Sequence, residues 1–286
     1  MIAVGLVFMA GCATTSAPMP SDPLQFPIRK TDEPDRFIKD RLALQEREQK
    51  QRSVNLPLVR SLIETKQYAL AQTYLEQALK TETDSTEAYR LLGVVHREKK
   101  EFESARPMFQ KALKQDPESA AAHNDLGILL LMENEIAGGN RSFLKATELM
   151  PLGSRYHNNL GFSFYLMGDL TRAVEAYEKA VRLDASIPRY HNNLGYAYGM
   201  IKRYPEALRE FLHGGSEATA YNNLGFSYQA DGQLDQARDL YRKALEIDPS
   251  LKTARQNLAA LCRSRTIEDE ACFSQDGNEI KNTEAP

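Results

Sequence analysis

Small and bulky residues recur along most of the chain at a fixed interval. Glycine stands at 93, 127, 161 and 195, in steps of 34, then at 225, and Ala259 takes the same place 34 residues later. Counting that glycine as position 8 of a unit, position 20 holds Ala71, Ala105, Gly139, Ala173, Ala207 and Ala237, and position 27 holds Ala78, Ala112, Ala146, Ala180, Gly214 and Ala244. Position 24 is bulky throughout, as Leu75, Phe109, Phe143, Tyr177, Phe211 and Tyr241. Three units carry proline at position 32, Pro117, Pro151 and Pro249. Small residues at positions 8 and 20 predict two helices per unit that approach closely, and the bulky residue predicts a filler between neighbouring units. A period of this length marks a stacked array. The units fall at 52–85, 86–119, 120–153, 154–187, 188–217 and 218–251, with a closing helix at 252–265.

Three places depart from the pattern. The first unit has Val59 in place of the glycine and Pro57 near its start, as terminal repeats often do. Pro107 falls inside a second helix, where it removes a helix hydrogen bond and is expected to bend the helix. The fifth unit is four residues short: Gly214 and Gly215 end its second helix early, which predicts a local change of curvature that tilts the sixth unit against the fifth.

The phased small and bulky positions, with the motif YHNNLG at 156–161 and 190–195 and its shorter forms HNDLG and YNNLG, resemble the tetratricopeptide repeat (TPR) over residues 52–265. The resemblance implies an all-α solenoid, a right-handed superhelix of six helix-turn-helix units plus a closing helix. It also implies a concave groove lined by the first helix of each unit. Unit positions 5 and 6 hold Asn124 and Asp125, Asn158 and Asn159, Asn192 and Asn193, Asn222 and Asn223, and then Gln256 and Asn257. In the family these positions reach the groove. An amide offers both donors and an acceptor, so one reading has the row pair with the main chain of an extended peptide; the other has it bond neighbouring helices. Beside the row, the groove positions bring Ile128, Phe162, Tyr165, Tyr196 and Phe226, an apolar and aromatic lining suited to an extended segment or an amphipathic helix. A clamp for a C-terminal carboxylate is not expected, since only Arg155 and Arg189 supply positive charge there.

Histidines 123, 157 and 191 share position 4, a packing position in the family, and have no acidic or cysteine ligands beside them to complete a metal set. Neither a catalytic constellation nor a phosphate-binding glycine loop occurs, so the chain reads as non-enzymatic and without a cofactor. A formal net charge of −3 with a pI of about 6.0 argues against nucleic acid as a partner.

Residues 1–12, MIAVGLVFMAGC, form an apolar run of secretory length ahead of a proline-rich stretch. Met9, Ala10, Gly11 and Cys12 resemble the lipobox of bacterial lipoproteins. That implies a signal peptide at 1–11, lipid on Cys12 and, with Ala13 following, a place in the outer membrane facing the periplasm. Residues 12–35 read as a proline-rich tether and 36–51 as a charged capping helix. Cys262 and Cys272 stand near the end of the array and in the polar tail, 266–286. In an oxidising periplasm they form a candidate disulfide contributing about 3 kcal/mol; alternatively Cys262 is a core residue and Cys272 a free thiol. An anchored array of this kind resembles the TPR lipoproteins of tight-adherence (Flp-type) pilus systems, TadD-like, and the pilotins of type IV pili. This implies a scaffold that holds a peptide segment of a pilus or secretion subunit during assembly of a secretin pore. A soluble adaptor or co-chaperone-like protein is the alternative.

Overall fold

The computed structural model describes residues 55–81 and 85–264. Within them the chain forms thirteen helices and no strand: α1 (Leu56–Glu64), α2 (Tyr68–Thr81), α3 (Thr86–Glu98), α4 (Phe102–Gln115), α5 (Ala120–Met132), α6 (Ile136–Leu149), α7 (Ser154–Leu166), α8 (Leu170–Leu183), α9 (Pro188–Met200), α10 (Tyr204–Gly214), α11 (Glu217–Ala230), α12 (Leu234–Ile247) and α13 (Lys252–Ser264). Consecutive odd and even helices make the six predicted units, and α13 closes the array. The expected signal peptide, tether, capping helix and tail fall outside the described residues.

The contact that makes a unit is a ring set against a glycine. A Cβ placed on Gly93 would stand 2.7 Å from the ring of Phe109, on Gly127 2.6 Å from Phe143, on Gly161 2.7 Å from Tyr177, on Gly195 2.6 Å from Phe211 and on Gly225 2.8 Å from Tyr241. No real Cβ fits there. All five rings are buried. The bulky residue therefore packs first on its own unit's glycine, not simply between units as expected. It still bridges outward, since Phe143 shares a core cluster with Leu160 and Phe164 of the next unit. The exception follows the same rule: the first unit has Val59 in place of glycine and Leu75 in place of the ring, both buried. A smaller side chain on one helix accommodates a larger one on the other.

Each second helix packs on the first helix of the next unit, and this is the main joint between units. Each first helix touches the next first helix, whereas among the described residues no second helix packs comparably on the next second helix. A stack crowded on one side and splayed on the other curves toward the crowded side, so the first helices line the inner face. Local signals set the helix starts: Ser85, Ser119 and Ser216 accept hydrogen bonds from the backbone N–H of Ala88, Ala122 and Thr219. Within each unit the turn passes through a left-handed residue at the same place, Lys66, Lys100, Asn134, Gly168, Lys202 and Gly232. Helix α4 runs through Pro107 without a break.

The short fifth unit has a visible effect. Helix α10 spans 11 residues, and α9 and α11 pack more extensively than any other pair of successive first helices. Their approach relies on small residues: a Cβ on Gly199 would stand 2.6 Å from that of Ser227.

The ring-on-glycine rule generates a double-mutant test. Gly161→Val should lower stability by about 1–3 kcal/mol through overpacking against Tyr177. Adding Tyr177→Leu, which recreates the first unit's pairing, should return part of that loss, giving a non-additive cycle in denaturant midpoints.

Candidate functional site

The asparagines turn on each other. The side-chain amide of Asn159 donates to Asn124 Oδ1 at 2.7 Å, Asn193 to Asn158 at 2.8 Å, Asn223 to Asn192 at 3.4 Å and Asn257 to Asn222 at 3.0 Å. The rule is position 5 of one unit against position 6 of the next. At the junction before these the same positions hold a charged pair, Arg90 and Asp125, and at the first they hold Leu56 and Leu91, which pack in one apolar cluster. Asn124, Asn158, Asn222 and Asn223 are buried. The expectation that the row Asn124, Asn158, Asn159, Asn192, Asn193, Asn222, Asn223 and Asn257 presents free amides to a peptide is therefore corrected. First helices approach so closely that the amide nitrogen of each position-6 asparagine meets the preceding unit before it meets a ligand, although the oxygen of Asn193 stays open, and leaving a partner buried and unpaired costs about 1–3 kcal/mol.

At the head of this row Arg90 is held more firmly charged than usual: burial works against the charge, but hydrogen bonds and charges of Glu87 and Asp125 outweigh it. Glu87 is likewise drawn below its ordinary range, against the desolvation of burial, by Arg90 and Arg60.

The histidines of position 4 are structural. Ring Nε2 of His123, His157 and His191 lies 3.0, 2.9 and 3.0 Å from the backbone carbonyl oxygens of Pro117, Pro151 and Ala185. A carbonyl only accepts, so each Nε2 carries the proton and clamps the turn leading from the preceding unit. Arg255 does the same to Pro249 in α13. Where the turn is deleted, ahead of the sixth unit, position 4 is Tyr221. Among the described residues no cluster of histidine, cysteine and carboxylate side chains suited to a metal ion occurs.

The predicted aromatic lining does come together. Phe162 and Tyr165 of α7, Asn193 and Tyr196 of α9 and Phe226 of α11 surround a cavity of about 180 Å³, with Tyr177 of α8 as the sixth wall. Phe162 is 44 % and Phe226 48 % exposed. Tyr196 holds the junction, its ring edge-on to Phe226 at 6.0 Å between centroids and to Phe211 at 5.0 Å. Burial, and then the nearby Tyr165 hydroxyl, pushes the phenols of Tyr177 and Tyr196 above their ordinary range. No acidic or basic side chain stands among the six walls. Along the same inner face Met132, Leu166 and Met200 are exposed, extending the apolar strip to either side. Tyr177 was legible only as a core filler, because its place at the wall depends on Gly161 lying beneath it.

Asn193 is the one ladder residue in that wall. In units three, four and six the position-5 amide donates to the position-6 oxygen beside it, Asn124 to Asp125, Asn158 to Asn159 and Asn222 to Asn223. In the short unit Asn192 donates instead to the carbonyl oxygen of Gly214 at 2.9 Å. Gly214 can end so close only because it lacks a Cβ, which would fall 2.5 Å from Asn192 Oδ1. Asn193 Oδ1 is left without a side-chain donor among the described residues. The signal in the sequence was the glycine at position 27, where five other units have alanine.

Cys262 is disulfide-bonded; Cys272, its expected partner, and Cys12, the expected lipid site, lie outside the described residues.

The ladder assigns stability, not ligand contact, to its buried members. Asn124→Ala, remote from the cavity, should cost about 1–3 kcal/mol in chemical unfolding by stranding the amide of Asn159; an unchanged midpoint would return that residue to the list of free groove amides.

Residues 86–119 and 218–251 each match the tetratricopeptide repeat, and residues 161–202 match the TPR repeat. Among solved structures the chain is similar to pilF of Pseudomonas aeruginosa, with TM-score 0.58 and 22 % identity over 71 % of this chain and 95 % of that one. It is similar also to YrrB, described as a TPR protein with an unusual peptide-binding site, with TM-score 0.53 and 20 % identity over 64 % and 96 %. A third likeness is to the Cut9–Hcn1 hetero-tetramer of the APC/C, with TM-score 0.58 and 18 % identity over 75 % and 43 %. At these identities the likeness is one of fold. No curated protein matches the chain. Repeat by repeat, then, the described residues form an all-α solenoid of tetratricopeptide repeats, a scaffold suited to binding other proteins.

Proposed function

We propose that the chain is a non-enzymatic scaffold that grips an extended segment of a partner protein in the apolar groove of its fourth to sixth units. We further propose that it is a lipoprotein anchored through Cys12 at the periplasmic side of the outer membrane, where it assists assembly of a pilus or secretion pore. The observation that carries the binding role is the uncharged cavity between Phe162, Tyr196 and Phe226, with two of its rings nearly half exposed. A folded protein gains by covering such rings, and an extended peptide can seat one side chain between them while lying along the strip. YrrB, a TPR protein with a peptide-binding site, supports the mode. The anchor rests on Met9, Ala10, Gly11 and Cys12; several acyl chains hold firmly where one does not, at about 0.8 kcal/mol per buried methylene. The choice of a pilus or secretion subunit as partner rests on the resemblance of the anchored repeats to pilus-assembly lipoproteins, with the likeness to pilF as further support.

A photo-crosslinking residue at Met200, on the strip, should give in cells one dominant adduct with a pilus or secretion subunit. Phe162→Ala together with Phe226→Ala should weaken that adduct at least tenfold, since aromatic anchors in a pocket are worth about 2 kcal/mol or more each. An adduct indifferent to both changes removes the groove from the account. For the anchor, metabolic labelling with an acyl-chain probe should mark the wild type and spare Cys12→Ala; equal labelling refutes it and favours a soluble adaptor.

A further inference from the structure

The cavity is not uniformly greasy, and its one amide decides what fits. At about 180 Å³ it exceeds the engineered cavity of about 150 Å³ that takes up benzene, so it has room for one aromatic ring. Its walls are rings and an amide, with no charge to meet a lysine or a carboxylate side chain, which would enter at a heavy desolvation cost. Any side chain that fills it also covers Asn193, whose Oδ1 has lost its usual neighbour because Asn192 donates to Gly214. The amide nitrogen of Asn193 gives one of its two N–H groups to Asn158, and its oxygen, which takes no side-chain donor among the described residues, is open to an occupant. A phenylalanine or leucine would shut that oxygen away from water and give it nothing. A phenol O–H or an indole N–H would satisfy it.

We infer that the cavity selects an aromatic side chain bearing a hydrogen-bond donor, tyrosine or tryptophan, and that Asn193 is the residue that determines the choice. This rests on the peptide-binding reading above and deepens it. The shortened fifth unit is the source of the specificity: in units three, four and six the equivalent oxygen already accepts from position 5.

The test uses the full chain and capped nine-residue peptides of glycine, serine and threonine with one central guest, titrated by NMR. The guests are tyrosine and phenylalanine, which differ by one hydroxyl, and tryptophan and 3-benzothienylalanine, which exchange N–H for sulfur. Wild-type chain should bind each donor-bearing guest about tenfold more tightly than its mate. Asn193→Asp, which keeps an acceptor, should preserve the preference, and Asn193→Leu should abolish it. Equal affinities within both pairs in the wild type would overturn the inference, as would an undiminished preference in Asn193→Leu. Should Asn193→Leu fail to fold, the wild-type and Asn193→Asp comparisons decide alone. If all four guests bind alike and binding is lost in Phe162→Ala with Phe226→Ala, the groove reading survives and the selectivity falls. If no guest binds, both fall.

Discussion

A helix pair brought so close that a ring rests on the opposing backbone leaves no space for a side chain beneath that ring, and this constraint organises the molecule. It explains why glycine returns at Gly93, Gly127, Gly161, Gly195 and Gly225, always opposite an aromatic residue. It also explains the sole unit that escapes, where Leu75 replaces the ring and Val59 the glycine. Once each pair is locked, the first helices have a fixed separation from one another, and the side chains between them must satisfy one another in a dry seam. Amides suit such a seam because each supplies a donor and an acceptor, so a row can be extended unit by unit without leaving a buried group unpaired.

How much of this could be read from the chain follows from where each signal originates. The second helices bury one face: α8 buries Ala173, Val174, Ala176, Tyr177 and Ala180 and exposes Thr171, Arg172, Glu175 and Arg182, so hydrophobic periodicity reports them faithfully. The first helices are enclosed on several sides. Helix α7 buries Asn158 and Ser163 along with Tyr156, Leu160, Gly161 and Phe164 while exposing Phe162 and Leu166, so at several of its positions polarity runs opposite to burial. Asn158 looks like a surface residue and Phe162 like a core residue, and each is the reverse. The repeat period grouped Phe162, Tyr165, Tyr196 and Phe226, which share one cavity, because it marks equivalent places in the fold irrespective of polarity. It could not decide what the asparagines bond to, since an amide facing a peptide and an amide facing another amide 35 residues away leave the same local pattern.

The junction between the fifth and sixth units shows how an irregularity becomes a feature. Shortening the fifth unit draws α11 onto α9, and the gap is closed with Gly199 against Ser227. Tyr204 and Tyr228 stack there at 3.9 Å, and Tyr204 donates to Asp231, which also takes Gln233 and Lys202. The hydrogen bond from Lys202, followed by those from Gln233 and Tyr204, holds the Asp231 carboxyl down to about 2. A network of this kind fixes the two units in one relation.

That fixed relation bears on binding directly. Phe226 belongs to the sixth unit and Phe162 to the fourth, with Tyr196 between them, so the cavity exists only if three units keep their register. A loose array would have to order that register each time a partner arrived, and the ordering would subtract from affinity. Here the stacked tyrosines, the Asp231 network and the ring-on-glycine contacts hold the walls before any ligand is present. The binding free energy of a single seated side chain is then free to report on the fit inside the cavity. Discrimination as small as one hydroxyl becomes possible under that condition, because the unpaired oxygen of Asn193 has nowhere to move when the wrong side chain covers it.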